Sequence, residues 1–591
     1  MVDNENEEDM DDQNIEDIDI NAGIIEPDNN DGYYDDYAAA DEDIPNNNNN
    51  VQNNNNNIWQ LNQIPIRNDN NNAEINLIEG YPQFLCDNPG PNIPNIEERS
   101  PLLFFQLFIT NAIIDTFVQF TNLYANNTNR TRWKDITAVE LKKFFSVIIY
   151  MGINKLGRRE FYFNNEYFRQ PYVYEKFTYK RFTDILICLH YVQAGLYTKV
   201  EVEGMDKDEP FWRVTPFINE LKNRCKMHFI PFQTICIDEQ GIPFKGRHRA
   251  RQYNKDKPDK RHFKVQCLND SCSGYLVDFY LYPGATEVRP LGVSATNYPA
   301  YLLTDNPLLI GKNYILITDN WFTSEWSILQ MRNRLIHQMG TMKFNKLGGA
   351  KALSIKDKDK SPRGTIKYYH NTVNNYYFIS YQDNRPVNFF SSLPSFSHLA
   401  IKMTKQGGLF ESPTPSITTL YIKNMRGTDR FDQLNSYYWP FIRSVKWPSR
   451  IFIHFLYVAI INSHIIYKLH FNLTRHDREF QLVYYLQRLM VQLAEQDIDD
   501  IESESSDDEE ETVKYRRQVS NEFRTTGKHE YMKVEATPNP INPNKPSYKR
   551  RTCANCYSRT SYYCKQCKVG LHMINSTGEN CWINWHERND E

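Results

Sequence analysis

Positive charge is missing from two long stretches of this chain. Residues 1–60 hold 18 Asp and Glu with no Lys or Arg, and Glu495–Glu511 hold 11 acids, again with no base. The first stretch also carries Asn runs at 46–50 and 53–57. So little apolar surface cannot offset chain entropy, and residues 1–98 are expected to be disordered. Outside the two stretches 44 acids face 68 bases, a net of +24 hidden within the overall −5. That excess suits a polyanionic partner such as nucleic acid; merely abundant solvated Lys and Arg are the plain alternative.

Other absences narrow the class further. Met1 is followed by acids rather than by a basic and then apolar run, so secretion is not expected. The most lipophilic stretch, Ile451–Tyr467, is broken by His454, Asn462, Ser463 and His464. It falls short of the ~20 apolar residues of a membrane span and reads as a buried helix, with no membrane partner expected. Five of the 11 cysteines lie between Cys553 and Cys581 and the rest are scattered. This is a metal-cluster pattern suited to a reducing compartment rather than a disulfide framework. What the chain does have is 591 residues, 40% of them hydrophobic and 14% aromatic, which excludes global disorder and calls for two to four folded units.

Helical periodicity begins after Pro101 with Leu102, Phe104, Phe105, Phe108, Ile109, Ile113 and Phe117, and repeats over Val139–Ile149. Short strand-like runs follow at Thr234–Ile237, Tyr275–Leu281 and Tyr314–Ile317, then a helix at Ile328–Leu335 and strands at Tyr377–Tyr381 and Val387–Phe390. Helical spacing returns near Phe431 and runs through Ile451–Leu469.

Three carboxylates stand at element ends. Thr234-Ile-Cys-Ile leads into Asp238, Tyr314-Ile-Leu-Ile-Thr leads into Asp319, and Asp429 precedes an aromatic-rich helix. Hard oxygen ligands from separate elements suit Mg²⁺ or Mn²⁺, and paired ions ~4 Å apart serve phosphoryl transfer. Singly, each such Asp is more often a turn or helix cap. A basic stretch containing Lys245, Arg247, Arg249, Arg251, Lys255, Lys257, Lys260, Arg261 and Lys264 follows Asp238 and is expected to neutralise phosphates, a solvated loop being the alternative. Trp321, Trp439 and Trp447 are either base-stacking platforms or core.

Asp238-Glu-Gln with Phe244-Lys-Gly-Arg247, Asp319-Asn-Trp-Phe-Thr-Ser324 and Gly427-Thr-Asp-Arg-Phe-Asp-Gln433 resemble the piggyBac transposase family. Lys257-Pro258 ahead of Phe263-Lys264, Gly340-Thr341 and Lys446-Trp-Pro448 are similar in order and spacing, so the resemblance spans roughly Pro101–Leu469. It implies an α/β, ribonuclease-H-like core with an insertion domain between the second and third acids, Asp238, Asp319 and Asp429 as catalytic triad, and Asp432 as accessory acid. It further implies cut-and-paste transposition of double-stranded DNA through a hairpin intermediate at TTAA sites, by a homodimer or larger assembly in the nucleus. Arg426 and Thr428 depart from the Gly and Val of many members, which puts cleavage efficiency in question rather than metal binding.

In the tail, Cys553, Cys556, Cys564, Cys567, His572, Cys581 and His586 supply seven ligands within 34 positions, a pattern that suits Zn²⁺. By resemblance to the cross-braced finger of piggyBac proteins, Cys564, Cys567, Cys581 and His586 form one complete site. Cys553, Cys556 and His572 form another that lacks a fourth ligand, Asn575 standing where some relatives offer His or Cys. The resemblance implies reading of transposon ends; a RING-like or PHD-like protein contact is the alternative. Lys545, Lys549, Arg550 and Arg551 just ahead favour DNA or nuclear import.

The expected organisation is therefore a disordered segment 1–98, a helical dimerisation or DNA-binding region 99–230, core parts 231–335 and 421–475 around an insertion domain 336–420, a helical then charged linker 476–552, and a zinc domain 553–586. A catalytically silent DNA- or chromatin-binding derivative is the competing function; the presence of all three acids favours the enzyme.

Overall fold

The computed structural model describes residues 59–495 apart from breaks at 67–76, 79, 129, 131, 194–208, 357–358, 404–408, 441 and 443–445. Beyond them it describes 529–533, 536–537, 547–548, 551–552, 559–565, 567, 571–572 and 581–587. The Asn runs, nearly all of the 495–511 acidic run, Lys545, Lys549, Arg550, Cys553 and Cys556 lie outside the described residues.

Up to residue 495 the strands in chain order are β1 (Trp59–Asn62), β2 (Gly90–Pro91), β3 (Phe229–Ile230), β4 (Thr234–Pro243), β5 (Gln252–Tyr253), β6 (Arg261–Asp270), β7 (Leu276–Leu281), β8 (Ile315–Thr318), β9 (His337–Thr341), β10 (Ile366–Asn371), β11 (Tyr376–Gln382), β12 (Pro386–Ser391), β13 (Ser397–Met403) and β14 (Leu409–Pro415). Ten of them form one sheet in the order β1-β10-β11-β12-β9-β8-β4-β6-β5, with β7 also on β6. β4 runs antiparallel to β6 and parallel to β8, and β8 parallel to β9; the strands from β9 to β1 are antiparallel.

The expected insertion domain does not stand apart. β9 pairs with β8 from Ile315↔His337 to Thr318↔Gly340, and β10 to β12 extend the same sheet, leaving β13 and β14 as a separate hairpin. Aromatic alternation explains the extension: Tyr376, Phe378 and Phe390 with Trp59 make a small core of their own against Ile328.

The helices are α1 (Pro101–Gln106), α2 (Asn111–Asn127), α3 (Ala138–Ile153), α4 (Phe161–Asn164), α5 (Pro171–Tyr174), α6 (Tyr179–Cys188), α7 (Thr215–Met227), α8 (Tyr298–Leu303), α9 (Glu325–Asn333), α10 (Ser416–Asn424), α11 (Gly427–Tyr438), α12 (Trp447–His470) and α13 (Leu482–Glu495). Several starts are legible locally: Thr110, Thr137, Thr178 and Ser324 each accept a backbone N–H three residues on. α12 is the spine. It is buried almost throughout, among α1, α3, α7, α13 and β7, and 94% of its most apolar window lies inside protein. Two of the polar residues that interrupt it, Asn462 and Ser463, have internal hydrogen-bond partners. Asn462 accepts from Leu276 N at 3.0 Å and donates to Leu276 O at 2.9 Å, and Ser463 accepts from Tyr485 Oη at 2.8 Å. The helical region 99–230 therefore shares one continuous core with the sheet, and α13, expected to open a linker, packs on α3 and α1.

The expected disordered segment is also shorter than 1–98. β1 pairs with β10, β2 with β3, and Leu85 N donates to Lys312 O at 3.0 Å; Phe84, Ile93 and Ile96 pack on the core. These extended pieces have no core of their own, so composition alone reads them as unstructured; the sheet and α12 supply their partners. Removing residues 1–57 should leave the melting temperature nearly unchanged, whereas removing 1–98 should lower stability by about 3–5 kcal/mol through lost apolar burial. Differential scanning calorimetry of the two truncations checks this, and equal melting temperatures would count against it.

Candidate active site and metal centre

β4 does not stop at Asp238, as the sequence pattern suggests, but continues to Pro243 because β6 pairs along its whole length. Its parallel neighbour β8 ends earlier, at the Ile237↔Thr318 pair. Asp238 and Asp319 each follow that pair by one residue, which sets them side by side on adjacent strands, ~4.8 Å apart in backbone spacing. The chain after Asp319 is held by an Asx turn: Asp319 Oδ1 accepts from Trp321 N at 2.8 Å and Phe322 N at 3.3 Å. Thr323 Oγ1 donates to Asp319 O at 2.6 Å, and Ser324 then caps α9. Gly340 lies under this turn, where a Cβ would overlap Thr323 Oγ1 and the Thr318 carbonyl.

The third acid arrives on α11. Gly427 lets the helix start press onto β4, since a Cβ would stand 2.6 Å from Cys236 Sγ. Thr428 is buried and donates to Asn269 Oδ1 at 2.9 Å, and Arg430 donates to Ser271 O at 3.1 Å. Asp429 in the first turn and Asp432 one turn later share a face. Thr428 thus serves as a docking residue.

The electrostatics bear out the proximity. The Asp238 carboxyl is pushed up to about 7, by burial first, then by Asp319 and Asp429, against the pull of the Glu239 N–H. Burial raises Asp319 too, despite its two backbone N–H bonds. Asp432 is lifted to about 7 by burial and by Asp429. Glu239 goes the other way. Burial opposes its charge, but Lys264 and Lys257 hold it down to about 2, with Nζ to carboxylate distances of 2.5 and 2.8 Å. Carboxylates from three elements, close enough that Asp319 and Asp429 raise Asp238, suit a hard divalent cation.

The basic stretch divides by role. Lys257 and Lys264 are not free phosphate clamps, because both are paired with Glu239 next to the acids. Arg251 turns inward and donates to the carbonyls of Lys245, at 3.0 Å, and Gly246. Lys245, Arg247 and Arg249 are exposed. Of the three tryptophans, Trp439 packs on Tyr457 and Arg450, and Trp447 on Phe211 and His248. Trp321, next to Asp319, is 37% exposed, with Lys264 and Lys346 ammonium groups each 5.2 Å from its ring centre.

In the tail, His529, Cys564, Cys567 and His586 bring their ligand atoms within 4.8 Å of one another. Cys564 Sγ lies 3.4 Å and Cys567 Sγ 3.5 Å from His529 Nδ1, and Cys567 Sγ lies 3.6 Å from His586 Nε2. A tetrahedral ion with ordinary thiolate and imidazole bond lengths separates such S and N atoms by about 3.6 Å, so the four fit one metal. His586 Nδ1 bonds Trp582 O at 2.8 Å, which turns Nε2 toward the thiolates.

His529 replaces Cys581 in the expected set. Cys581 and His586 lie five positions apart on the helix Cys581–Glu587, hence on different faces, and Cys581 is buried outside this group. His529 precedes Cys564 by 35 positions and carries no spacing signal; the strand Tyr531–Lys533 paired with Tyr562–Cys564 brings it in. His572 is described but is not among the four.

A family model described as Transposase IS4 matches residues 100–464. Human PiggyBac transposable element-derived protein 3 is 24% identical over 503 residues, 83% of this chain and 76% of the relative. The human Chimeric ERCC6-PGBD3 protein is 24% identical over the same length, which is 43% of that longer protein. A cryo-EM structure of a piggyBac transposase synaptic complex with hairpin DNA superposes with a TM-score of 0.60 at 21% identity, over 80% of this chain and 97% of that one. With the matched region enclosing all three acids of the sheet and helix α11, the chain belongs to the Transposase IS4 family, on its piggyBac branch.

Proposed function

We propose that this protein is a cut-and-paste DNA transposase, or a domesticated derivative that still excises DNA, with Asp238, Asp319 and Asp429 as the triad. The observation that carries this is the register that sets Asp238 beside Asp319, with α11 docked on β4 and β6. The strand pattern, β7, β6 and β4 antiparallel followed by parallel β8 and β9, supports a ribonuclease-H-like core. The carboxylates would hold Mg²⁺ or Mn²⁺, which supplies an activated nucleophile and stabilises the leaving oxygen when bound. Asp432 lies one helical turn behind as an accessory acid. Lys257 and Lys264, anchored by Glu239, keep positive charge next to the scissile phosphate, while Lys245, Arg247 and Arg249 hold flanking phosphates.

Cleavage through a hairpin at TTAA-type sites, paired ends joined by a homodimer, and action in the nucleus complete the reading. In the tail, His529, Cys564, Cys567 and His586 would hold Zn²⁺. Cys553, Cys556, His572 and Cys581 then remain as a second set of the right number, and the tail reads the transposon ends. Incubating the purified protein with Mn²⁺ or Mg²⁺ and a labelled duplex carrying the gene's own flanking repeats tests the reading. Site-specific nicks that vanish with a chelator are expected; intact DNA under every condition would favour the silent DNA-binding derivative.

A further inference from the structure

The loop that leaves β7 rises from the acid end of the sheet. β7 ends at the Leu281↔Val265 pair, and Val265 faces Gln240 on β4, so the loop begins level with a point two residues past Asp238. Both of its feet are tied down next to the acids. At the first, Tyr282 N donates at 2.9 Å to the carbonyl of Lys264, the lysine paired with Glu239. At the second, Asn297 is buried and its Oδ1 accepts at 2.7 Å from the hydroxyl of Ser324, the residue that caps α9 after the Asp319 turn. Between the feet the chain makes a tight turn. Val293 N donates to Pro290 O at 3.1 Å and Gly292 has φ 82°, the geometry of a type II turn. Leu291 takes the corner of that turn and is fully exposed, and Val288 just ahead of it is 84% exposed. A Cβ on Gly292 would meet nothing within 4 Å, so the turn stands clear of the body of the protein.

One exposed aliphatic side chain is ordinary on a protein surface. Val288, Pro290 and Leu291 together, on a turn pinned at both ends beside Glu239 and the Asp319 turn, are a different case, because the turn holds them in water instead of against the core. The cations at the loop's base favour a polyanion over a second apolar surface: Lys264 at the first foot and the exposed Lys346 both stand 5.2 Å from the Trp321 ring. We propose that the tip is a wedge for duplex DNA, Leu291 entering a base step from the minor groove, partly unstacking it and kinking the helix next to the bond that is cut. This rests on the DNA-cleaving reading above and deepens it. A leucine on a rigid support suits the task, since the cost of unstacking is offset by burial of the aliphatic group and by the protein surface that the bend brings onto the backbone.

The test follows the bend directly. A short duplex spanning the gene's own flanking repeat, with a donor dye at one end and an acceptor at the other, is titrated with the full chain in a chelator so that no strand is cut. Energy transfer should rise on binding, by an amount that corresponds to a kink of about 20° or more. Leu291→Ala should remove at least about half of that rise while binding the duplex within about threefold of wild type and with the same salt dependence, because it removes the wedge and no phosphate contact. Its melting temperature should equal that of wild type, as the fully exposed Leu291 side chain supports no part of the core. Unchanged energy transfer when the wild type binds overturns the proposal and leaves the DNA reading intact. A Leu291→Ala variant that bends the duplex as fully as wild type also overturns it, and if that variant loses self-association in sedimentation velocity the tip belongs to an interface between copies. No binding to the duplex removes the DNA reading and the proposal together.

Discussion

Asp319→Asn should lower strand cleavage by at least ~10³-fold, about 4 kcal/mol of transition-state stabilisation, while changing duplex affinity little. The substitution removes a ligand oxygen charge and leaves the exposed Lys245, Arg247 and Arg249 in place. Asp238→Asn should be as damaging to cleavage, and it carries a second consequence. The folded Asp238 carboxyl titrates at about 7 against an ordinary 3.8, so ionising it works against the metal-free fold. Its contribution to stability is complete below the ordinary value and is lost as pH rises through about 7. At pH near 8, metal-free Asp238→Asn should therefore melt above wild type by a few degrees, reflecting on the order of 1–4 kcal/mol, and the gap should close near pH 4. Millimolar Mn²⁺ should raise the wild-type melting temperature and do so much less in the variant. Cleavage at the wild-type rate by Asp319→Asn would remove that residue from the triad; a metal-free Asp238→Asn that melts below wild type at pH 8 would show that Asp238 is not strained by its neighbours.

The second large effect lies in the tail. His529→Ala should release the ion held with Cys564, Cys567 and His586 and unfold the segment around the strands Tyr531–Lys533 and Tyr562–Cys564, because structural zinc contributes ~10 kcal/mol or more that is also folding energy. Cys564→Ser should do the same. Cys581→Ser should keep this ion, since Cys581 faces away from His586 on their helix. Native mass spectrometry counts the zinc ions, and binding can be compared on end-repeat and scrambled duplexes. Discrimination between the duplexes should fall in His529→Ala while non-specific, salt-sensitive affinity survives through the basic core. A tail that keeps full zinc without His529 would restore Cys581 as the fourth ligand; one that loses zinc yet still discriminates would favour a protein-contact role.

Local chemistry made much of this molecule readable from its residues. The strands leading into Asp238 and Asp319, the helix that follows the Asp319 motif, the aromatic-rich helix near Asp429 and the buried reading of Ile451–Tyr467 all rest on side chains within a few positions of one another. Periodicity, turn chemistry and capping act over that same short range. The grouping of cysteines in the tail is likewise a property of spacing along the chain.

Contacts between distant segments were not readable in this way. Asp238 is mid-strand rather than terminal because β6 outlasts β8 as its neighbour, a matter of register. Lys257 and Lys264 count as two more bases in a basic stretch until the antiparallel pairing of β4 and β6 sets Glu239 across from Gln266, between them and the acids. Residues 83–96 look unstructured until Lys312 and His228 supply partners more than a hundred positions away. His529 becomes a ligand only through a strand pair that closes a loop of about thirty residues. Residue identity and near spacing dictate which chemistry a segment can perform, because backbone propensity and capping are local. Which segments meet is set by burying apolar faces and pairing backbone groups across the whole chain, a many-body condition to which no single stretch holds the answer.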